Sequence, residues 1–342
     1  MNQVDIIAID LAKNVFQLHG ATRTGDVVFR LKLTRARLVD YVASIPPCTV
    51  AMEACAGAHH WGRKFQKLGH EVKLIAPIYV KPFVKRHKND VADAEAIAEA
   101  ALRPTMRYVA VKSADKQASG MAFKIRELLV RQRTQTINAL RGHLTEYGVI
   151  TANGTQNLPR LRSILESGES GLPEPVRELS ELMLAHIAHL SDPIQLLDKE
   201  LRQRARKDDV ASRLMTIPGI GPICATAIEA LAPETPTFRK GRDFAAWIGL
   251  VPLQNSSGGK EKLGRISKMG QRDLRRLLII GASSVVRWAI ARGAADGSWL
   301  KQMLERKPRQ VVIVALANRI ARVAWALITN GGTYRIGASA VS

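Results

Sequence analysis

Apolar residues follow two rhythms along the 342-residue chain: short runs between turn signals in the first third, then recurrences at steps of three and four. Val4–Asp10 (VDIIAID) is almost wholly apolar and predicts a buried strand. Val15–His19 (VFQLH) and Val27–Leu31 (VVFRL) predict two more, separated by TRTGD, whose Gly-Asp pair signals a hairpin turn. Thr34 opens an amphipathic helix with Leu38, Val39 and Val42 inward, and Pro46–Pro47 end it. Cys48–Met52 (CTVAM) is a further buried strand that runs into Glu53. A helix around His60–Leu68, a strand at Val72–Ile75 and an alanine-rich helix over Asp90–Ala101 follow, the last preceded by basic KPFVKRHKN. Three strands, helix, strand, helix, strand, helix is the order of a ribonuclease H-like mixed sheet.

The rest of the pattern is helical. Lys112–Tyr147 sets Met121, Ile125, Leu128, Ile137, Leu140 and Leu144 to one side, with Arg126, Arg131, Arg133 and Arg141 outward. From Pro175, Val176, Leu179, Met183, Ile187, Leu190, Ile194, Leu197 and Leu201 alternate steps of three and four, the seam of a coiled coil. Pro193 interrupts it, and Ser191 or Asp192 could cap a fresh helix start there. Such a helix pair packs within one subunit or serves as a dimerising arm. Thr216–Leu231 is a turn and a helix, and its IPGIGP resembles the hairpin of helix-hairpin-helix modules, whose glycines admit a DNA phosphate. NSSGGKEKLGRISKMG then predicts a glycine- and serine-rich basic loop before the helix QRDLRRLLIIGASSVVRWAI. The expected divisions are residues 1–110, 111–210 and 211–342: an α/β domain, a helical coiled-coil region and a mostly α-helical domain.

Charge changes the picture. The chain carries 51 Lys+Arg against 30 Asp+Glu, net +21. Residues 239–342 alone hold 19 basic and 5 acidic side chains, which points that end at a polyanion, nucleic acid above all. Lys260, Lys262, Arg265 and Lys268 flank the Gly-Ser loop, and Arg272, Arg275 and Arg276 share one turn of the next helix. These seven are the candidate phosphate contacts. No apolar run is expected to span a membrane, and the N-terminus lacks the basic start of a signal peptide. Three cysteines without a CxxC pair favour a reducing, cytoplasmic setting.

The acids supply the chemistry. Asp10 ends the first strand, Glu53 ends the fourth, and Asp90 and Asp93 stand at i and i+3 on the closing helix. In a mixed sheet of this order the first and fourth strands are neighbours, so the four carboxylates can converge. Such a cluster needs hard cations, and a pair of Mg²⁺ or Mn²⁺ ions suits phosphodiester chemistry.

With these segments assembled, the chain resembles the DEDD transposases of the insertion-sequence 110 family, 1111 subgroup. The resemblance runs end to end, through IDLAKNVF, AMEACAGAHHW, KNDVADAEAIAEA, TIPGIGPICA and AAWIGLVPLQNSSGGKEKLGRISKMGQRDLRRLLI. It implies a RuvC-like catalytic domain, a coiled-coil region and a C-terminal transposase domain. It implies the tetrad Asp10, Glu53, Asp90 and Asp93 as metal ligands and a nucleophilic serine before glycine, which favours Ser257 over the adjacent Ser256. It further implies donor and target DNA as substrates, a structured guide RNA as partner, and a homo-oligomer, dimer or tetramer. The same four acids would also suit a Holliday-junction resolvase, which needs neither the serine nor the basic C-terminal end. An actin-like ATPase or sugar kinase would want a glycine in DLAKN that is absent, and a purely binding protein would have no use for the four acids.

Overall fold

The runs of Val, Ile and Ala in the first third become strands because only a sheet covered on both faces uses so little polarity. The computed structural model describes residues 3–85, 89–167, 171–233 and 237–335. Residues 86–88, within the basic stretch before Asp90, lie outside them. The chain forms two compact units, residues 1–117 and 118–342.

In the first unit, β1 (Ile6–Asp10), β2 (Val15–Ala21) and β3 (Val27–Thr34) form an antiparallel meander. After α1 (Arg35–Ala43) come β4 (Thr49–Glu53), α2 (Ala58–Lys67) and β5 (Glu71–Ile75). β1, β4 and β5 are parallel, as helical crossovers require. The short α3 (Pro77–Val80) leads to α4 (Asp90–Ala101), and β6 (Tyr108–Val109) closes the sheet in the order β3-β2-β1-β4-β5-β6. α3 and β6 are additions to the elements read from the sequence. Alternation along the strands divides the core in two. Ile7, Ile9, Phe16, Leu18, Val50 and Met52 meet Leu38, Trp61 and Phe65 of α1 and α2 on one face. Ile6, Ala8, Ala51 and Ile75 meet Ala96, Ile97 and Ala100 of α4 on the other. Alanines on both sides of that second layer let α4 approach the sheet closely.

The second unit is helical apart from one hairpin. It comprises most of α5 (Ala114–Thr145), then α6 (Leu158–Glu166), α7 (Glu174–Lys207), α8 (Asp209–Leu214), α9 (Pro222–Leu231) and α10 (Gly241–Ile248). The strands β7 (Pro252–Gln254) and β8 (Leu263–Ile266) pair before α11 (Arg272–Arg292), α12 (Trp299–Arg306) and α13 (Arg309–Asn330).

Three expectations are corrected here. α7 runs unbroken through Pro193; its neighbours' bonds hold the helix where one amide is missing, and Ser191 Oγ donates back to the Ile187 carbonyl at 2.7 Å rather than capping a new start. The inward face also differs from the heptad reading. Leu179 of α7 and Met121, Ile125 and Leu128 of α5 are exposed, whereas Ser180, Leu184 and Phe123 are buried. Arg126, expected outward, is drawn in by Asp198 at 2.5 Å. Below this region, Ile137, Leu140 and Leu144 pack with Leu161, Leu165, Leu184 and Ile187, so α6 helps decide which face of α7 is covered. Lastly, α13 is long and apolar enough by length and composition to cross a membrane, contrary to the sequence reading. Its Val312, Ile313, Leu316, Ala317, Ile320 and Ala321 form part of the large core of this unit.

The IPGIGP turn is placed by backbone packing. Ile217 and Ile220 are buried, and Gly219 adopts φ +95°. A Cβ added at Gly281 of α11 would lie 1.8 Å from the Gly219 carbonyl oxygen. Gly219 thus serves a close approach to α11, and Gly221 remains exposed at the N-cap of α9. Gly281→Ala would gain about 1 kcal/mol of helix propensity but overpack backbone against backbone, at roughly 3 kcal/mol. A net loss of ~2 kcal/mol in denaturant unfolding is expected; an unchanged midpoint would contradict the contact.

Candidate active site and nucleic-acid face

Parallel pairing of β1 with β4 runs Ile6↔Thr49 to Ile9↔Met52, so Asp10 and Glu53 occupy the next, adjacent positions at the strand ends. By alternation both share the face of Ala8 and Ala51, the one that α4 covers. Their proximity registers on Cys55, whose thiol is pushed up by burial first and then by the Glu53 and Asp10 carboxylates. At the N-terminus of α4, Asn89 caps the helix by accepting the Ala92 amide at 2.8 Å, and Asp90 and Asp93 lie in the first turn. A helix start favours negative charge there.

The structure therefore assembles two carboxylate pairs, one at the strand ends and one on α4. Among the described residues no group of three or more His, Cys, Asp and Glu side chains is close enough to hold a metal ion. The donor set itself, carboxylate oxygens alone, fits a hard divalent cation.

Sequence reading overlooked Gln17. It stands opposite Asp10 in the β1–β2 register and is 8% exposed. Its signal was parity: a polar residue at a core position of an otherwise apolar strand. His19, two residues on, is also buried beneath α4, and burial and then Arg30 hold it below the usual histidine range.

The expected Gly-Ser loop is a β-hairpin. Lys260 N–H bonds to the Ser257 carbonyl at 3.1 Å, and Asn255 N–H to the Lys262 carbonyl at 2.8 Å. Gly258 and Gly259 have φ of +56° and +75°, both left-handed, so Ser257-Gly258-Gly259-Lys260 is a tight turn that only glycines enter freely. The two serines differ. Ser256 Oγ accepts the Lys262 amide at 3.2 Å, whereas no hydrogen bond of the Ser257 hydroxyl is found among the described residues, and Ser257 is exposed at the tip.

Lys260, Lys262, Arg265 and Lys268 are exposed around this hairpin. The arginines beyond it separate into distinct roles. Arg275 is half-buried and donates to the Ile248 carbonyl at 2.7 Å, tying α11 to the end of α10; burial and then Arg272 lower its pKa. Arg276 pairs with Glu127. Arg272 is exposed. Of the three arginines expected to contact phosphate together, Arg275 is thus engaged in holding the fold. Arg272→Ala should lower the salt slope of DNA binding by about one at unchanged stability. Arg275→Ala should cost about 1–3 kcal/mol of stability, the loss of a charged hydrogen bond. Equal slopes for wild type and Arg272→Ala would contradict this division.

The first unit thus carries acid-ended strands and the second an exposed basic hairpin, and comparison with known proteins identifies an enzyme that rearranges DNA. A DEDD transposase model of the insertion-sequence 110 type matches residues 7–149. The model described as transposase IS116/IS110/IS902 family matches residues 211–296. The first match contains all four acids and the second the hairpin and α11. A probable family 20 transposase of Pseudomonas aeruginosa is 47% identical over 97% of this chain and 98% of its own. The transposase for insertion sequence element IS1111A of Coxiella burnetii is 40% identical over 99% and 93% respectively. The transposase for IS1328 of Yersinia enterocolitica is 39% identical over 98% and 99%. The chain belongs to the IS116/IS110/IS902 family of transposases.

Proposed function

We propose that this transposase exchanges DNA strands through a covalent phosphoserine intermediate, with Ser257 as nucleophile and a pair of Mg²⁺ or Mn²⁺ ions held by Asp10, Glu53, Asp90 and Asp93. The observation that carries the reading is the β1–β4 register, which sets Asp10 beside Glu53 on the face over which α4 lies. Sheet order β3-β2-β1-β4-β5-β6, with an antiparallel meander leading into parallel strands, supports a RuvC-like, ribonuclease H-like catalytic domain. When bound, divalent ions supply Lewis-acid charge for phosphoryl transfer.

The protein's own groups do the rest. Asp10 and Glu53 provide oxygen ligands from rigid strand ends, and Asp90 and Asp93 provide them from a capped helix start. Ser257 Oγ bonds to phosphorus as its proton leaves, and the sugar oxygen of the cut strand departs and takes up a proton. One phosphodiester is exchanged for another, so religation needs no external energy. Lys260, Lys262, Arg265, Lys268 and Arg272 offset phosphate charge around the serine.

The substrates are the donor element ends and a target DNA, and a structured guide RNA is the partner that the family resemblance implies. The 19 basic against 5 acidic residues of 239–342 support a polyanion on that region. The division at residues 1–110, 111–210 and 211–342 is the functional one, with α5 and α7 as the coiled-coil arm. Leu182 and Leu196 of α7, 68% and 69% exposed, support its use between copies in a homo-oligomer working on the chromosome in the cytoplasm. Incubation with labelled element-end DNA and Mg²⁺, then a denaturing gel, tests the mechanism. A protease-sensitive protein–DNA band is expected. Free cleaved ends without any adduct would favour the resolvase-like endonuclease instead.

A further inference from the structure

Of the five tryptophans, four are packed. Trp61 lies in the core of the first unit, and Trp247, Trp299 and Trp325 pack against that of the second. Trp288, near the end of α11, is 53% exposed. The Arg292 guanidinium lies over its indole ring, 3.8 Å from the centroid. That stacking holds the ring in one attitude and leaves much of it open to solvent.

Its surroundings are basic. α11 carries five arginines and one acid in 21 residues. Arg272, Arg276 and Arg287 fall within about 60° of one another around the helix axis, and all three are exposed. They form a cationic stripe along one margin of the exposed face of α11, and Trp288 lies about 100° around the axis from Arg287, on the opposite margin of that face and roughly 24 Å from Arg272 along the axis. Ile280 and Ile290 are also exposed on α11, but a stripe of arginines with a single acid suits a polyanion better than an apolar protein surface.

We propose that Trp288, backed by Arg292, is a stacking platform for an unpaired base of a nucleic-acid strand whose phosphates follow Arg272 and Arg287. An indole face accepts any base, so the contact reads the unpaired state rather than the sequence. The transposase thereby distinguishes an opened or branched strand from intact duplex. The inference rests on the reading of this region as a nucleic-acid surface.

The test uses the full-length protein, its Trp288→Ala, Trp288→Phe and Arg272→Ala variants, and three labelled probes: oligothymidylate, oligouridylate and a duplex DNA of equal length. Fluorescence anisotropy at fixed salt gives the affinities, and analytical ultracentrifugation the oligomeric state. Trp288→Ala should weaken single-strand binding at least ~5-fold with duplex binding unchanged. Trp288→Phe should retain most of it, and Arg272→Ala should weaken all three probes. Whether the loss is larger on oligothymidylate or oligouridylate identifies DNA or RNA as the strand. Trp288→Ala that binds both single strands like wild type, while duplex binding persists, overturns the platform alone. A change of oligomeric state in Trp288→Ala, with single-strand affinity intact, overturns it in favour of a contact with a second copy. Wild type that binds none of the probes overturns the nucleic-acid surface together with the platform.

Discussion

Asp10→Asn is expected to abolish strand exchange while the protein stays folded and still binds nucleic acid. The substitution keeps the shape of the side chain and removes one ligand charge at the end of β1. If several kcal/mol of charge stabilisation depend on the bound ions, the rate falls by roughly three orders of magnitude or more. Stability should move the other way, if at all. Asp10 and Glu53 are close enough for both carboxylates to act on Cys55, and neutralising one removes like-charge repulsion in the metal-free protein. Asp93→Asn should lose activity in the same way from the other carboxylate pair. Recombination assays paired with thermal unfolding decide the matter. Normal recombination by either variant at a native-like melting temperature would remove the acids from the mechanism.

Ser257→Ala should eliminate both recombination and the covalent protein–DNA product, with nucleic-acid binding retained. Ser256→Ala supplies the contrast. The Ser256 hydroxyl accepts the Lys262 amide, so its removal loosens the hairpin and lowers the rate without erasing the adduct. Ser257 sits one residue further out, before two left-handed glycines, where its hydroxyl can approach a phosphate. An adduct that persists in Ser257→Ala and vanishes in Ser256→Ala would transfer the nucleophilic role to the neighbouring residue.

Much of the first unit was legible because its signals are local. VDIIAID and CTVAM are buried strands by composition alone, and Asp90–Ala101 is bounded by an asparagine cap and an alanine run that permit little else. The adjacency of Asp10 and Glu53 followed, since strand order makes β1 and β4 neighbours. What the sequence concealed lies where packing, not pattern, decides. Leucines abound on both sides of α7, so which stripe is covered depends on α5 and α6, and Leu179 loses to Ser180 and Leu184. Pro193 signals a break that tertiary contacts override. The β7–β8 hairpin escaped because LQNSSGGKEKLG has no alternation of apolar and polar residues, only a turn of glycines. Arg275 looked like a phosphate ligand because nothing local reveals that the Ile248 carbonyl awaits it 27 residues back.

The hairpin has one more consequence. All of β7, most of β8 and the turn between them are exposed, and a two-stranded ribbon that buries so little is marginally stable by itself. Its amides should exchange with solvent long before those of α11 or α13 do. If Ser257 is the nucleophile proposed above, such a ribbon would leave it unaligned until DNA clamps the flanking lysines and arginines, and part of the binding energy at a matching site would go into ordering the serine. Casual encounters with chromosomal DNA cannot supply that energy. On that mechanism the thinness of the hairpin would act as a safety catch, separating contact with DNA from the commitment to cut it.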